Sequence, residues 1–279
     1  MLVELAVGDA YGAGFEYAPQ ELVHRHNTGT YYIQHPRYTI PPGCYTDDTQ
    51  MSLALAEALV DNDPWTPQSL AERFVAAFKR DPRAGYASRF YDLLRDISTG
   101  AELLSRVQSD SDRSGAAMRA APLGVLPTAE AVKERCRIQA AVTHNTPDGI
   151  HAAQAAALMT HYGLYRLGPK NDLGPYLESQ VPGRWSQRWF GKVEKKGWMS
   201  VRAAVTALGR NHRLSDLLRD CVAFTGDVDT VAAIALAAAS CSAEFEPDLP
   251  VSLLVSLENG PFGRDYLATV DRQLLALKV

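Results

Sequence analysis

The sequence has few cysteines and no excess of basic residues. Its 279 residues include Cys44, Cys136, Cys221 and Cys241, and no two of them have the close spacing of a zinc knuckle or a redox motif. We therefore expect reduced, buried thiols in a cytoplasmic protein. The formal net charge of -4 excludes a broad basic surface, so we expect no nucleic-acid partner.

Long apolar runs are also absent. The longest, residues 231–239, is far shorter than the roughly 20 residues that a membrane-spanning helix needs, so we expect a core helix there and no membrane partner. Glu4 and Asp9 interrupt the apolar N-terminal segment, which lacks a basic leader, and we expect no signal peptide. The chain has no Gly-x-Ser-x-Gly motif and no Walker phosphate loop, which argues against a serine nucleophile and against NTP hydrolysis.

Alternating strand patterns are nearly absent, and residues 30–33 are the one strand candidate. Apolar residues recur at helical spacing instead, as at Leu70, Phe74 and Phe78, and Thr66 followed by proline is typical of a helix start. Such patterns predict helices at roughly 51–59, 70–78, 90–97, 129–142, 149–165, 201–208, 214–222, 231–241 and 266–277. The sequence therefore predicts an all-α fold.

Two acidic runs stand out against this background. The first is Thr-Asp-Asp-Thr at residues 46–49, and the second is Asp-Val-Asp-Thr at residues 227–230. Adjacent aspartates repel each other, so both runs cost stability unless a cation neutralises them. Carboxylate and hydroxyl oxygens suit Mg²⁺, Ca²⁺ or Mn²⁺. Helix capping is the alternative role, and it explains one run more easily than two.

Other acidic motifs do not match. Met51 occupies the position where a prenyl-diphosphate site would have its third acid. Residues 110–115 resemble the start of a calcium-binding loop, but Ala121 stands at the twelfth position, where a glutamate is required. We interpret residues 110–115 as a polar turn before a helix.

The segment 167–198 is rich in glycine, proline, tryptophan and charge. Its composition is that of a linker between domains, but the two acidic runs flank it. If both runs build one site, the chain cannot be divided at this segment. We therefore predict a single domain, residues 1–279, with a loop or lid insertion around residues 167–198.

Five motifs resemble those of the ADP-ribosylglycohydrolase family, which includes dinitrogenase reductase-activating glycohydrolase and the ADP-ribosylarginine hydrolases. They occur in the family's order and cover nearly the whole chain. The motifs are GDAYGAGFE at 8–16, GCYTDDTQM at 43–51, SGAAMRAAPLG at 114–124, THNTPDG at 143–149 and GDVDTVAAI at 226–234. Thr225 departs from the pattern, because the family's closing motif usually begins with a further glycine.

The resemblance implies a compact, orthogonal all-α domain with two Mg²⁺ or Mn²⁺ ions at the base of an ADP-ribose cleft. The implied metal ligands are Thr46, Asp47, Asp48, Asp227, Asp229 and Thr230. The implied catalytic residues are Glu16, Asp47 and Asp48. The implied substrate contacts are Gly115, Met118, His144 and Trp198. A plain core position is the alternative for Trp198, and a helix cap is the alternative for His144.

The implied reaction is hydrolysis of the N-glycosidic bond between ADP-ribose and an arginine of a protein. The implied partner is the ADP-ribosylated protein, and a cognate ADP-ribosyltransferase is a further candidate, in regulation or in immunity to a toxin. Hydrolysis of serine-linked or O-acetyl-ADP-ribose is an alternative. A non-catalytic protein that binds ADP-ribose or blocks a toxin is another. Glu16, Asp47 and Asp48 all remain candidates for the general base.

Overall fold

A computed structural model describes residues 1–278, and its regular structure is helical. The α-helices are α1 (Leu2–Ala13), α2 (Gln20–His26), α3 (Asp47–Val60), α4 (Pro67–Arg80), α5 (Ser88–Asp96), α6 (Gly100–Arg106), α7 (Ala129–Ala141), α8 (Pro147–Tyr165), α9 (Leu173–Gln180), α10 (Gly197–Arg210), α11 (Leu214–Ala223), α12 (Val228–Ser240), α13 (Val251–Ser256) and α14 (Arg264–Leu275). Short 3₁₀ helices are Ser114–Ala116, Ala121–Val125 and Lys170–Asp172. Within residues 1–278 there is no β-strand, which confirms the all-α prediction.

The strand candidate at residues 30–33 is wrong, because the segment is a loop that packs by its side chains. The Tyr32 ring is buried, and its hydroxyl donates a hydrogen bond to the carbonyl oxygen of Leu253 at 3.0 Å. Ile33 packs against Gly14. Two side chains that anchor a loop therefore account for the apolar pattern, and no neighbouring strand pairs with it.

Two helices begin where the threonine–proline pairs predict. Thr66 and Thr146 precede α4 and α8, and each side chain accepts a hydrogen bond from the backbone N–H three residues later. Pro67 and Pro147 occupy the first helical positions, where a missing N–H costs nothing.

Helix α12 is the most deeply buried helix of the fold, as the apolar run at residues 231–239 predicts. Helix α1 packs closely along it because Gly8 and Gly12 face it. A Cβ atom on Gly8 would lie 2.6 Å from the Ala232 carbonyl oxygen, and one on Gly12 would lie 2.7 Å from the Asp229 nitrogen. This close contact brings the first helix of the chain to the start of α12, where the second acidic run lies.

Helix α3 carries the first acidic run and lies between two hydrophobic clusters. Leu53 belongs to the larger cluster, which includes α1, α8 and α12. Met51 and Leu55 belong to the smaller cluster, where they pack with residues of α4 to α6 such as Phe74. Because α3 is shared, the boundary between the clusters does not fall at residues 167–198. The single-domain interpretation itself stays a prediction.

The segment 167–198 is partly core. It contains the helix α9, and Trp185 and Val193 are buried in the larger hydrophobic cluster. A linker between domains would leave such side chains exposed. The lid function of this segment stays a prediction.

The four cysteines are unpaired. Cys136 and Cys221 are buried as predicted, whereas Cys44 and Cys241 are only half-buried. In the described part of the chain, no helix is both long enough and apolar enough to span a membrane.

Candidate active site

The first acidic run is held in place by a residue of α1. The fully buried Asp9 accepts hydrogen bonds from the backbone N–H groups of Thr46 and Thr49 at 2.9 and 3.0 Å. It also accepts hydrogen bonds from their hydroxyls at 2.7 and 2.6 Å. The Thr46 hydroxyl accepts in turn from the Asp48 N–H at 3.4 Å and caps α3. The capping role left open for this run is therefore present at Thr46.

Sequence reasoning missed the role of Asp9. The signal was available, because a carboxylate inside an apolar helix must find hydrogen-bond donors when it is buried. Burial raises the pKa of Asp9, although the four hydrogen bonds from Thr46 and Thr49 favour its charged form. Asp9 thus fixes the turn from which Asp47 and Asp48 project.

The second acidic run follows a left-handed turn. Thr225 has φ 64° and Gly226 has φ 91°. The Val193 N–H donates to the Thr225 carbonyl at 3.0 Å, and the Asp227 N–H donates to the Val193 carbonyl at 3.0 Å. A Cβ atom on Gly226 would collide with that Val193 oxygen. The departure at Thr225 thus puts a β-branched residue in a backbone region that favours glycine.

The two runs and Glu16 together form an acidic cluster. Glu16, Asp227 and Asp229 each have a carboxylate oxygen within 4.8 Å of the others. Asp48 Oδ2 is buried and has no hydrogen-bond partner. The Asp47 side chain lies against Gly85, where a Cβ atom would collide with Asp47 Oδ1. A buried oxygen without a donor is costly unless a cation or a ligand group approaches it.

Burial raises the pKa of all four aspartates of the runs, Asp47, Asp48, Asp227 and Asp229. The charge of Asp9 raises the pKa further in the first run, and the charge of Glu16 does so in the second. The pKa of Asp227 rises to about 6. The cluster therefore resists holding all its negative charges at once.

The acidic cluster forms the floor of a cavity of about 730 Å³. The predicted site residues that line this cavity are Glu16, Asp47, Asp48, Gly115, Met118, His144, Asp227, Asp229 and Thr230. The basic residues that line it around the acidic floor are Arg37, Arg89, Arg106, Arg113 and Lys195. Within residues 1–278, none of these five side chains forms an ion pair. The cavity thus combines an acidic floor with a mainly basic rim, where the five unpaired basic side chains outnumber two aspartates, Asp110 and Asp112.

A buried arginine orders one wall of the cavity. Arg119 is only 1% exposed and donates hydrogen bonds to Gln139 Oε1 at 2.6 Å and to Thr143 Oγ1 at 2.8 Å. Thr143 Oγ1 lies 2.7 Å from His144 Nδ1. Burial lowers the pKa of His144 to about 3, so the ring is neutral. Gly115 lies against this ring, because a Cβ atom there would be 2.8 Å from His144 Cε1.

Isolated backbone bridges connect the loops around the cavity. The bridged pairs are Asp110 with His144, Arg113 with Lys196, and Val193 with Gly226. The end of the segment 167–198 takes part in two of them. The predicted polar turn at residues 110–115 is instead a loop with a bridge residue at each end, Asp110 and Arg113, followed by the 3₁₀ helix Ser114–Ala116.

Two predicted site residues do not line the cavity, Thr46 and Trp198. Trp198 lines a second cavity of about 330 Å³ beside the segment 167–198. Its ring meets the Trp189 ring edge to face at 5.8 Å, and the Arg202 guanidinium lies 5.5 Å from its ring centroid. The predicted contact between Trp198 and the substrate stays a prediction.

Residues 1–278 match the family model described as ADP-ribosylglycohydrolase. ADP-ribosylarginine hydrolase Tri1 of Pseudomonas putida (strain GB-1) is 24% identical over 253 residues, 84% of this chain and 67% of that protein. ADP-ribosyl-[dinitrogen reductase] glycohydrolase of Rhodospirillum rubrum is 31% identical over 175 residues, 60% of this chain and 57% of that protein. ADP-ribosylhydrolase ARH3 of Homo sapiens is 27% identical over 203 residues, 64% of this chain and 55% of that protein. The matches to the last two thus span little more than half the length of those relatives.

A solved structure described as an ADP-ribosylglycohydrolase-related protein complex has the same fold, with a TM-score of 0.75. The alignment covers 100% of this chain and 96% of that chain, at 21% identity. At this identity the likeness concerns the fold alone. The family model, by contrast, matches the sequence of the whole described chain. The protein belongs to the ADP-ribosylglycohydrolase family.

Proposed function

We propose that the protein is a metal-dependent hydrolase that removes ADP-ribose from ADP-ribosylated protein, with ADP-ribosylarginine as the first candidate linkage. The observation that carries this proposal is the buried acidic cluster at the floor of a cavity with a basic rim. Family membership supports it, as do relatives named as hydrolases of ADP-ribosylarginine and of ADP-ribosyl-dinitrogen reductase.

The donor set of the cluster fits hard divalent cations. Only carboxylate oxygens make up the group formed by Glu16, Asp227 and Asp229, and hard cations such as Mg²⁺ and Mn²⁺ prefer oxygen ligands. The partnerless Asp48 Oδ2 supplies a further oxygen that such an ion would satisfy. Bound ions would lower the pKa of water and neutralise the repelling carboxylates.

We assign two Mg²⁺ or Mn²⁺ ions to the oxygens of the two runs. Asp47, Asp48, Asp227, Asp229 and Thr230 line the cavity and are the proposed ligands. Thr46 stays a predicted ligand, although it does not line the cavity. Its hydroxyl donates to Asp9 and accepts from the Asp48 N–H, so it also orients the first run.

The carboxylates of the acidic cluster would accept a proton from the attacking water. The reaction breaks the bond between C1″ of ADP-ribose and the guanidine nitrogen, and the water oxygen bonds to C1″. One water proton passes to a carboxylate, with Glu16, Asp47 and Asp48 as the candidate bases. The leaving nitrogen takes up a proton and departs as a neutral or protonated guanidine.

The rim and the wall of the cavity suit the remainder of ADP-ribose. Unpaired guanidinium groups such as Arg89 and Arg113 fit the diphosphate, because their planar donors match phosphate oxygens. The apolar surface of the cavity includes Tyr86, Phe90 and Met118, and the adenine ring of ADP-ribose can pack on it. A cavity of about 730 Å³ is in the usual size range for a small-molecule site.

Release of ADP-ribose from three substrates tests the proposal. Proteins with arginine-linked and serine-linked ADP-ribose, and O-acetyl-ADP-ribose, are incubated with the enzyme in Mg²⁺, Mn²⁺ or chelator, and free ADP-ribose is measured by chromatography. We expect metal-dependent release from the arginine linkage. Release from only one of the other substrates would move the assignment to that linkage.

Two variants locate the activity in the cluster. Asp229→Ala removes a cluster carboxylate and should reduce turnover more than about 100-fold, as expected for a group at the reacting centre. Asp96→Ala removes an aspartate at the end of α5 whose side chain is 50% exposed, and it should leave turnover unchanged. No release from any substrate, combined with calorimetric binding of ADP-ribose, would instead identify a non-catalytic binding protein. A cognate transferase and a cytoplasmic location stay predictions.

A further inference from the structure

The imidazole of His35 lies between the acidic cluster and the rim of the cavity. His35 belongs to the loop between α2 and α3, and its side chain is 1% exposed. Its Nε2 atom lies 2.8 Å from Glu16 Oε2. Its Nδ1 atom lies 3.0 Å from the backbone nitrogen of Arg37 and 3.0 Å from that of Tyr38. Both of these residues line the cavity.

The two backbone groups determine the tautomer of the ring. A backbone N–H can only donate, so Nδ1 accepts from both Arg37 and Tyr38 and carries no proton. The ring proton is therefore on Nε2, which donates to Glu16 Oε2. One ring thus joins two residues of the rim to one carboxylate of the floor.

Glu16 depends on this hydrogen bond for its orientation. Its backbone is held nearby, because the Tyr17 N–H donates to the Gly226 carbonyl at 2.8 Å. Its side chain, however, lies close to two like charges, Asp227 and Asp229, which repel it. Among residues 1–278, the His35 ring is the one donor that contacts the Glu16 carboxylate.

We infer that His35 is a positioning residue that holds Glu16 at the acidic cluster and ties it to the rim at Arg37 and Tyr38. The inference rests on the proposed function, because it matters only if the cluster is the reaction site. Loss of a partner that orients a metal-site carboxylate typically costs roughly 10- to 100-fold in metal affinity or activity. His35 itself does not line the cavity.

Two substitutions separate the two hydrogen-bonding roles of the ring. In His35→Asn, the amide oxygen replaces Nδ1 as the acceptor for Arg37 and Tyr38, but the side chain is too short to reach Glu16. In His35→Gln, the amide nitrogen replaces Nε2 and donates to Glu16. We expect His35→Asn to lower kcat about tenfold with KM changed less than about twofold, and His35→Gln to restore kcat to within about threefold. Full kcat in the Asn variant and a loss in the Gln variant would show that His35 only shapes the loop, and would overturn the inference.

A double-mutant cycle tests the dependence on Glu16. His35→Asn is introduced into the wild type and into a Glu16→Gln variant, and kcat is measured for all four proteins. If His35 acts through Glu16, the second background shows no further loss of kcat. Equal losses in both backgrounds would overturn the inference, because the effect would not pass through Glu16.

Calorimetric titration with Mn²⁺ alone gives a readout that is independent of turnover. We expect His35→Asn to weaken Mn²⁺ binding about tenfold and His35→Gln to bind as the wild type does. Thermal unfolding checks that each variant folds. If the Asn variant does not fold, weak Mn²⁺ binding by a folded Gln variant would overturn the inference, and wild-type binding would support it. A wild type that binds Mn²⁺ but releases no ADP-ribose refutes only the proposed function, whereas one that does neither refutes both.

Discussion

The two acidic runs have similar sequences and both begin helices, but the protein holds them by different means. The first run is fixed by a side chain, because Asp9 accepts four hydrogen bonds from Thr46 and Thr49. The second run is fixed by backbone hydrogen bonds. Val193 donates to the Thr225 carbonyl and accepts from the Asp227 N–H, and these two residues flank Gly226 in a left-handed turn.

This difference shows that one kind of donor group can be presented by unrelated local structures. The first run requires one particular carboxylate, that of Asp9, which a helix distant in the sequence supplies. The second run requires the absence of a side chain at Gly226, because the Val193 carbonyl lies against its Cα. The runs should therefore respond to different substitutions.

Deletion of the Asp9 carboxylate should have the largest effect. In Asp9→Ala, two backbone N–H groups and two hydroxyls lose their buried acceptor, which should lower the free energy of unfolding by about 4 kcal/mol and abolish turnover. Asp9→Asn is the matched control, because its amide oxygen can still accept from the donors that share Oδ2. Urea denaturation measures both. Equal destabilisation by the two variants would contradict the hydrogen-bond explanation.

A methyl group at Gly226 should break the second run. Gly226→Ala combines a left-handed backbone with a collision against the Val193 carbonyl, and it should cost about 3 kcal/mol of unfolding free energy and most of the activity. Gly191→Ala is the control, because Gly191 is also left-handed, at φ 78°, but a Cβ atom there would meet no atom within 4 Å beyond its chain neighbours. That control should cost only about 1 kcal/mol. Similar losses in both variants would exclude the collision as the cause.

The charges that both runs share should make the metal-free protein less stable as the pH rises. The pKa of Asp227 is about 6 in the folded protein, whereas the ordinary value of 3.8 applies to the unfolded chain. At a pH between these two values, unfolding therefore releases a proton from Asp227. Stability in chelator should therefore fall by about 2 kcal/mol between pH 4 and pH 7. Saturating Mg²⁺ should reduce this fall, and Asp227→Asn should remove its share of it. Chemical denaturation at several pH values measures the slope, and a slope unchanged in Asp227→Asn would refute the assignment.

The smallest effect should come from Thr225, which precedes Gly226. Thr225→Gly removes the backbone strain of a left-handed β-branched residue at φ 64°. The gain in stability is partly offset, because glycine has greater conformational freedom in the unfolded chain. We expect a gain of less than about 1 kcal/mol in unfolding free energy, with turnover unchanged. Thermal unfolding with an activity assay tests this. A destabilised variant would mean that the Thr225 side chain makes a favourable contribution of its own.

The helices and the acidic character of the site could be predicted from local sequence. Helical spacing and threonine–proline starts predicted α4 and α8, and the alanine-rich run at residues 231–239 predicted the buried α12. These predictions succeed because such signals are local. The doubled aspartates indicated a cation site by the same kind of reasoning, since adjacent charges repel in any fold.

The residues that support that site could not be predicted, because tertiary packing selects them. Asp9 lies 37 positions before Thr46, and Glu16 lies 19 positions before His35, so helix packing brings these partners together. Packing also put Trp198 on a second cavity and made the apolar segment 30–33 a loop instead of a strand. Local sequence determines which groups are available and which helices form. The close contact of α1 with α12, which two glycines permit, determines which of those groups meet.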